Sequence, residues 1–460
     1  MSEANPRAIF LTLTTIACAI VAGALAAVHP MRLLVLIAAL LLLLSLHSSL
    51  WRLITITFGG LIVLQGTAGL TAPKLAYFGY IVVTWIVALH RLSTRANRAV
   101  YLRPFRSLVP ASLSVLAVVL VSGPIAALNG ATFLDWARDA LPFTLIALLP
   151  VIGLDCAHDT PETRIRNIMA IVGLVAAIGF AVDWLERRGV SALGVGKLTL
   201  SSIALLGAVF VLSVTYAGLG PRRARWFALA VLILIAVLLT GTRSSVILIA
   251  GLAGVLGSEG QHRVPLPKLT SVALPLTIVV VLALPILSGL IISDPDFLES
   301  RLQQAIDFLE GGREEDQSFR ARATEYGLAS EQIDAHPWFG VGPGHLYAVD
   351  PGSPPQFTLD TPLTVVAKFG VVGSTIIVAF LVQVFWCGRR VRLLVGPSIP
   401  LTALRGFAVL CIAGIPFGSM LEDKGLTIAL MLLVSLVAAR TRDSIDSQAH
   451  KDVYSSVGSR

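Results

Sequence analysis

Residues 107–128 read SLVPASLSVLAVVLVSGPIAAL and contain no charged side chain. A helix of about 20 residues crosses the hydrocarbon core of a bilayer, so this run is long enough to span one. Glycine and proline interrupt the run, and it lacks the alternating period of a barrel strand, which favours a helix. Similar runs recur along the chain and predict an all-α, polytopic integral membrane protein with about 11 to 14 transmembrane helices.

The overall composition indicates the same class of protein. Of 460 residues, 55% are hydrophobic and 13% are charged, and the mean hydropathy is +0.82, whereas soluble domains carry about 25% charged residues. The net charge of +8 does not indicate nucleic-acid binding, because the basic residues fall in short clusters between apolar runs. The four cysteines show no spacing typical of a metal site or a disulfide framework.

Apolar runs mark the candidate spans. The first could be taken for a cleavable signal, but a second run begins at Met31, which favours a retained span. The polar connection between 292 and 360 is much longer than an ordinary loop and therefore indicates a functional segment. In chain order the candidate spans are 8–28, 32–46, 53–70, 75–90, 107–128, 139–154, 167–185, 198–217, 226–240, 244–257, 269–292, 361–386, 402–421 and 425–439.

Arginine-rich connections predict the orientation of these spans. Cytoplasmic loops of membrane proteins carry an excess of Lys and Arg. With alternating spans, all four basic clusters lie on one side together with both termini, so that side is predicted to be cytoplasmic. The clusters are 91–106, 222–225, 389–392 and 440–442.

This orientation puts the long polar loop outside the cytoplasmic membrane, in a periplasmic or extracellular position. No internal repeat is visible, which counts against a transporter built from repeats.

The sequence divides into four predicted parts. They are a transmembrane helical bundle at 1–292, an extracytoplasmic loop with short amphipathic helices at 293–360, C-terminal transmembrane helices at 361–440, and a polar cytoplasmic tail at 441–460, predicted to be disordered.

The long loop carries its own pattern. Apolar residues at helical spacing predict two amphipathic helices, at 296–310 and 318–334. Gly340, Gly342 and Gly344 then predict a rigid turn in which the backbone adopts positive φ or passes close to another group. A structural turn is the default role for these glycines, and contact with a substrate is the functional alternative. The turn lacks the strand and helix that a nucleotide-binding fingerprint requires.

Three arginines are candidates for binding phosphate. Arg243 ends a predicted span among small polar residues, 240–245, that allow a ligand to approach, although a membrane anchor is the alternative. Arginine can direct two hydrogen bonds onto phosphate oxygens. Arg320 and Arg322 lie two residues apart in a predicted helix, so they point to different faces. A solvated surface charge is the alternative for either of them.

Two side chains are candidates for a proton acceptor. Asp360 lies where the chain re-enters the membrane, and it could be the N-cap of the next helix, with Pro362 just inside that helix. It could also be a carboxylate at the rim of a cavity, and the two roles are compatible. His345 is the second candidate, whereas structural hydrogen bonding is favoured for His336. Nothing at metal-ligand spacing joins the histidines, so no metal site is predicted.

Four short stretches carry a family resemblance. They are Thr-Arg-Ser-Ser at 242–245, Arg322 followed by Tyr326 and Pro337, His-Pro-Trp-Phe-Gly-Val-Gly-Pro-Gly at 336–344, and Lys-Phe-Gly-Val-Val-Gly at 368–373. Together they resemble the O-antigen ligase and Wzy-type polymerase superfamily of bacterial envelope glycosyltransferases. They cover roughly the second half of the chain, and the first half agrees only in its hydropathy.

The resemblance implies an enzyme of the bacterial cytoplasmic (inner) membrane. Such an enzyme, a ligase or a polymerase, takes a glycan from an undecaprenyl diphosphate carrier on the outer face and joins it to a hydroxyl of a lipid or glycan acceptor. The resemblance also implies that Arg243 and Arg322 hold the diphosphate, and that no metal, nucleotide or other cofactor is used. Two guanidinium groups could neutralise the charge that develops on a diphosphate leaving group, as metals do elsewhere.

The base is less well defined by the resemblance. Family members often carry a His-Asn-like pair shortly before the last spans, where this chain has Asp360-Thr361. Either Asp360 replaces the histidine, or His345 supplies the base, or the activity differs. We favour Asp360, because a carboxylate can deprotonate an alcohol that attacks an oxocarbenium-like centre.

Two other classes of function are compatible with parts of the sequence. A transporter or flippase of lipid-linked sugars would carry ionisable residues deep within its spans and an internal repeat. A non-catalytic envelope polysaccharide assembly protein could keep the fold, and the missing histidine supports it. The sequence separates neither ligase from polymerase nor one oligomeric state from another.

Overall fold

The computed structural model describes residues 44–64, 70–95, 99–187, 202–238, 245–257, 317–348, 356–359, 361–415 and 420–457. These residues are mostly helical and contain no β-strand, so the predicted all-α class is confirmed. Numbered along the described residues, the helices are α1 (Ser49–Val63), α2 (Ala72–Arg95), α3 (Leu108–Leu128), α4 (Phe133–Asp159), α5 (Glu162–Arg187), α6 (Ile203–Leu219), α7 (Arg223–Leu238), α8 (Ser245–Gly257), α9 (Gln317–Ala335), α10 (Leu363–Val395), α11 (Ile399–Gly414) and α12 (Lys424–Val457), with short 3₁₀ helices at Val100–Phe105 and Met420–Glu422.

Several of these helices are suited to crossing a membrane. Among the described residues, five segments are long and apolar enough to do so, and α1, α6 and α11 are shorter apolar helices. The chain is therefore a polytopic integral membrane protein. The predicted total of 11 to 14 spans includes the runs 8–28 and 269–292, which lie outside the described residues, so that total stays a prediction. The five segments are Ala72–Arg95, Val100–Leu128, Phe133–Asp159, Leu363–Val395 and Lys424–Ala449.

The helices extend beyond most of the apolar runs from which they were predicted. The run 139–154 looked short for a span, but α4 is 27 residues long because polar residues at both its ends continue the helix. Its first turn is capped by Thr132, whose hydroxyl accepts the Asp135 backbone N–H at 3.2 Å. The second predicted loop helix, 318–334, is confirmed as α9. The first, 296–310, lies outside the described residues.

The end of the chain differs from its prediction. The tail at 441–460 was expected to be disordered, yet α12 continues as far as Val457. Adding a residue to an existing helix avoids the unfavourable nucleation step. Polar residues can therefore extend α12, and the beginning of the extension also packs on the bundle, since Thr441 is buried and Ile445 contacts the core.

Helices α4 and α12 form the centre of the bundle, and their apolar windows are almost wholly buried. Gly153 lets the two helices approach closely, since a Cβ there would lie 2.5 Å from the carbonyl oxygen of Met431. The Ser435 hydroxyl also donates to the Gly153 carbonyl at 2.9 Å. Close packing along their length fixes the position of groups at both ends of these helices.

The arginine clusters gather at one end of the bundle, here called the basic end. Arg95 contacts a carboxylate on α4 at 3.4 Å, and Arg442 donates to a carbonyl at the end of α4 at 2.7 Å. Arg390 donates to a hydroxyl just before α3 at 2.9 Å. The N-terminal ends of α2, α4, α10 and α12 lie at the opposite end, here called the loop end. The shared side predicted for these three clusters thus agrees with the structure, and its assignment to the cytoplasm stays a prediction.

Candidate active site at the loop end

A break in α10 forms the base of the loop end. Gly370 has φ +64° and ψ −176°, a conformation essentially reserved for glycine, so the helix is interrupted there. The break releases two carbonyls before Gly370 and two N–H groups after it, and the turn at 337–342 bonds all four. The bonds run from Val341 N to Ala367 O (3.0 Å), from Gly342 N to Lys368 O (2.9 Å), from Val371 N to Pro337 O (2.8 Å) and from Val372 N to Trp338 O (3.2 Å).

The three glycines of the turn are required by this docking. Gly340, Gly342 and Gly344 have φ values of +67°, +84° and +92°. A Cβ at these positions would lie 2.5, 2.6 and 2.6 Å from the backbone of α10, α3 and α4, respectively. Positive φ and close approach were predicted as alternatives, and both occur at each glycine. A direct contact of these glycines with substrate stays a prediction.

A buried ion cluster lies beneath the turn and consists of Lys368, Asp139 and Glu422. The Lys368 ammonium lies 2.7 Å from a carboxylate oxygen of Asp139 and 2.7 Å from one of Glu422. Their side chains are 0%, 5% and 7% exposed, respectively. The second Asp139 oxygen accepts the Gly344 backbone N–H at 2.7 Å. The cluster therefore ties α4, α10, the 420–422 helix and the glycine turn to one point.

The charge of this cluster is unbalanced. With all three groups ionised, one ammonium faces two carboxylates, and buried charge without a counterion is costly. Burial raises the pKa of the Glu422 carboxyl, and the neighbouring Lys368 ammonium opposes that rise. Protonation of Glu422 would leave the cluster electrically neutral.

A small layer of polar contacts covers the turn. Tyr347 and Gln356 exchange two backbone hydrogen bonds, of 2.8 and 3.0 Å. The Tyr347 hydroxyl donates to the Gln332 amide oxygen of α9 at 2.8 Å. Ala329 of α9, Tyr347 and Leu359 are buried against one another. Helix α9 and the segment 356–359 are thus packed onto the turn.

Three further cations lie at the N-terminal ends of α2, α4 and α12. Lys74, Arg138 and Lys424 are close enough to repel one another, and we call them the cationic rim. Lys74 is buried, whereas Arg138 and Lys424 are half-buried. The loop end therefore combines a fixed turn, a buried ion cluster and a concentration of positive charge.

The structure gives the positions of only two of the three predicted phosphate-binding arginines. Arg243 lies outside the described residues, between the end of α7 and the start of α8. Arg320 and Arg322 lie in the first two turns of α9, and their expected directions stay a prediction. Helix α9 packs against α10, so these two positions belong to an element of the loop end.

The predicted N-cap role of Asp360 is wrong. Helix α10 begins at Leu363, and its N-cap is Pro362, so Pro362 lies just outside the helix and not inside it. The Thr361 hydroxyl accepts the Leu363 N–H at 3.2 Å. The Thr364 hydroxyl donates to the carbonyl of Leu359 at 2.9 Å. Threonines therefore organise the start of α10, and Asp360, which lies outside the described residues, keeps only its predicted role as a base.

His345 lies within the loop end. Its ring meets that of Tyr347 edge to face, with centroids 5.1 Å apart. Half-burial, assisted by the neighbouring His336, lowers the pKa of His345. The imidazole is therefore neutral at neutral pH and can accept a proton.

Sequence reasoning missed the buried ion cluster as a site feature. Asp139 and Lys368 lie inside predicted spans, and ionisable residues in spans are usually functional or structurally paired. That rule could have selected these two residues but not Glu422, which lies between the predicted spans 402–421 and 425–439. It could not have paired them, because 229 residues separate Asp139 from Lys368.

A polar loop docked on an interrupted transmembrane helix defines a polytopic membrane protein with a charged site at one end of its spans. Residues 228–378 match the family model described as O-antigen ligase. All four stretches that carry the resemblance lie within this range, so the resemblance is confirmed for this part of the chain. The similarity supports a general role in the transfer of lipid-linked glycans. No curated protein matches the chain.

Proposed function

We propose that this protein transfers a glycan from an undecaprenyl diphosphate carrier to a hydroxyl of a lipid or glycan acceptor, at the outer face of the bacterial cytoplasmic membrane. One observation carries the proposal, namely the docking of the turn 336–344 on the α10 break at 368–373. Two stretches that resemble the family separately thus form one structure. The match at 228–378 supports glycan transfer in general, and the carrier, the acceptor and the membrane face belong to the proposal.

The distribution of charge supports the outer location. Arginines concentrate at the basic end, which the positive-inside rule assigns to the cytoplasm. The loop end then faces the periplasm or the exterior. A donor carried in the outer leaflet would present its diphosphate at that depth.

The proposed reaction is a displacement at the anomeric carbon of the donor glycan. The bond from this carbon to the diphosphate oxygen breaks, and a bond to the acceptor oxygen forms, with inversion at the carbon. Arg243 and Arg322 would hold the diphosphate and stabilise the negative charge that it gains on leaving. The acceptor hydroxyl would pass its proton to a base.

Asp360 is the first candidate for this base, and His345 is the second. The neutral imidazole of His345 supports the second role, since a protonated one could not act as a base. The Gly344 N–H bond to Asp139 holds the backbone next to His345 in place. Asp360 directly follows Leu359 in the chain, and Leu359 is buried against the turn.

The test compares Arg243→Ala and Arg322→Ala in cells that make the polymer, with lipid-linked intermediates and finished glycan measured side by side. Both variants should lose transfer while the protein remains folded in the membrane. Arg440→Ala is the matched control, because Arg440 lies at the basic end in a partly exposed ion pair with Glu162 (3.4 Å). Full activity of both variants would refute the diphosphate role of these arginines.

A deletion strain decides between the related activities. Single repeat units that accumulate on the carrier would identify a polymerase. A full-length polymer that stays on the carrier would identify a ligase. Intermediates trapped in the cytoplasmic leaflet would overturn the proposal in favour of transport.

A further inference from the structure

We propose that the cationic rim, formed by Lys74, Arg138 and Lys424, binds a phosphate or diphosphate ester group. The positions of the three cations follow from the packing of α2, α4 and α12, while the assignment of this group to a glycan-transfer substrate rests on the proposed function. The rim residues are distinct from the arginines that the family resemblance selects.

The buried ion cluster anchors the backbone next to Arg138 and next to Lys424. Arg138 directly precedes Asp139 on α4, and Lys424 follows Glu422 by two residues. Asp139 and Glu422 both contact the Lys368 ammonium at 2.7 Å. The backbones that carry Arg138 and Lys424 are therefore anchored to the same buried ammonium.

Packing against α1 places Lys74 beside Lys424. A Cβ at Gly60 would lie 2.9 Å from the Tyr77 hydroxyl and 2.6 Å from the Ile428 side chain, so side chains of α2 and α12 converge on this glycine of α1. Lys74 and Lys424 are three and four residues before Tyr77 and Ile428, which puts each about one helical turn closer to the loop end on the same face. Both lysines consequently emerge on the same side of this contact.

The carboxylates that adjoin Arg138 and Lys424 in the chain are bonded to other groups, and Asp423 also attracts the Lys424 ammonium. Asp139 binds Lys368 and the Gly344 N–H, and Glu422 binds Lys368. Asp423 accepts hydrogen bonds from the Ser202 hydroxyl (2.7 Å) and from backbone N–H groups of α6 and α12. None of these carboxylates forms a salt bridge with Arg138 or Lys424 in the described part of the chain.

Arg138 is oriented in a way that suits an oxyanion. Its guanidinium carbon lies 4.3 Å from the centroid of the Phe357 ring, so an aromatic face covers one side of the group. Stacking leaves the N–H donors at the edge of the guanidinium plane, and a phosphate can accept two of them at once. Within the described residues, no hydrogen-bond acceptor is bonded to these N–H groups.

Gathering three cations costs free energy because they repel one another. An anion between them would relieve the repulsion, and the positive ends of the α2, α4 and α12 dipoles would add to its stabilisation. A phosphate or diphosphate group has enough oxygens to contact cations from several helices. The diphosphate of the lipid donor and a phosphate on the acceptor share this chemistry.

Binding is tested on the purified full-length protein in nanodiscs, with inorganic diphosphate as the probe. Diphosphate should raise the Tm of the wild type at constant ionic strength, and Arg138→Gln and Lys424→Gln should each weaken its Kd by about tenfold or more. Arg440→Gln at the basic end is the control and should retain the wild-type Kd. Lys424→Arg, which keeps the charge, should bind within about threefold of the wild type, whereas Arg138→Lys should bind more weakly because an ammonium cannot reproduce the stacked, two-pronged contact of the guanidinium.

Two outcomes would overturn the rim as an anion site. One is a Kd for diphosphate that stays unchanged in Arg138→Gln and Lys424→Gln. The other is an equal loss of binding in Arg440→Gln, which would indicate nonspecific screening. If a Gln variant fails to fold, weak binding by the folded Lys424→Arg variant, which keeps the charge, would refute the proposal equally well.

Transfer kinetics show whether the bound phosphate group belongs to the donor or to the acceptor. They also test the rim separately from the proposed glycan transfer. A higher KM for the lipid-linked donor in Lys424→Gln, with the acceptor KM unchanged, assigns the rim to the donor diphosphate. The reverse pattern assigns it to an acceptor phosphate. If the Gln variants lose diphosphate binding but keep unaltered transfer, the rim is not used in catalysis. If the wild type shows no transfer at all, only the proposed function is refuted.

Discussion

Replacing Gly370 with alanine should undock the glycine turn from α10. Gly370 has φ +64° and ψ −176°, which an alanine reaches only at a cost of about 1–3 kcal/mol. The added Cβ would also lie 2.2 Å from the carbonyl carbon and oxygen of Trp338 and 2.3 Å from the Phe339 nitrogen. These are backbone atoms, so no rotation of a side chain can relieve the overlap.

Relief of this overlap requires the turn to leave the break. Four backbone hydrogen bonds between the turn and α10 would then be lost, each worth about 1 kcal/mol net. A regular α10 could recover part of this by bonding its own freed groups. Whether the turn stays docked under strain or is released, we expect the docked state to be destabilised by about 3 kcal/mol or more.

Gly396→Ala provides the matched control. Gly396 has nearly the same conformation, with φ +79° and ψ −170°, but no atom lies within 4 Å of its added Cβ. This variant therefore carries the backbone strain without the overlap. The difference between the two variants measures the contribution of docking.

Hydrogen exchange of the purified protein is the assay. In Gly370→Ala, peptides covering 337–342 and 371–372 should exchange faster by about two orders of magnitude, as a cost of about 3 kcal/mol requires, while the centre of α4 stays protected. Transfer activity should fall in parallel. Equal exchange and equal Tm values in Gly370→Ala and Gly396→Ala would refute the docking mechanism.

Three further changes probe the start of α10 and the chemistry beside it. Lys368→Met leaves two buried carboxylates without a counterion and should lower the free energy of unfolding by about 3–5 kcal/mol. The double variant with Asp139→Asn should recover part of the lost Tm, and an additive decrease in Tm would contradict the cluster. If His345 is the base, transfer should fall only as the pH drops below the usual histidine range, because its pKa is lowered, and His345→Gln should remove activity; an unchanged pH profile in that variant leaves the role to a carboxylate. Thr361→Val removes the acceptor of the Leu363 N–H and should cost about 1 kcal/mol in chemical denaturation; no change would contradict its capping role.

The sequence by itself determined the class of the protein, because hydropathy and charge act locally. Apolar runs must be helical in lipid, where each backbone polar group needs an internal partner. Arginines were expected on one side, and Arg95, Arg390 and Arg442 contact the same end of the bundle. Helix α9 followed from its own periodicity. The glycine turn followed from the φ preference of glycine, which requires no knowledge of its partner.

Only the tertiary structure decided what the turn docks on and which charges meet. The break at Gly370 and the turn at 337–342 exchange bonds that no local pattern encodes. Lys368 is separated by 229 residues from Asp139 and by 54 from Glu422. The rim likewise joins the first two turns of three helices that are distant in the chain. Contacts of this kind depend on how helices pack against one another, and a residue's neighbours in the sequence carry no record of that packing.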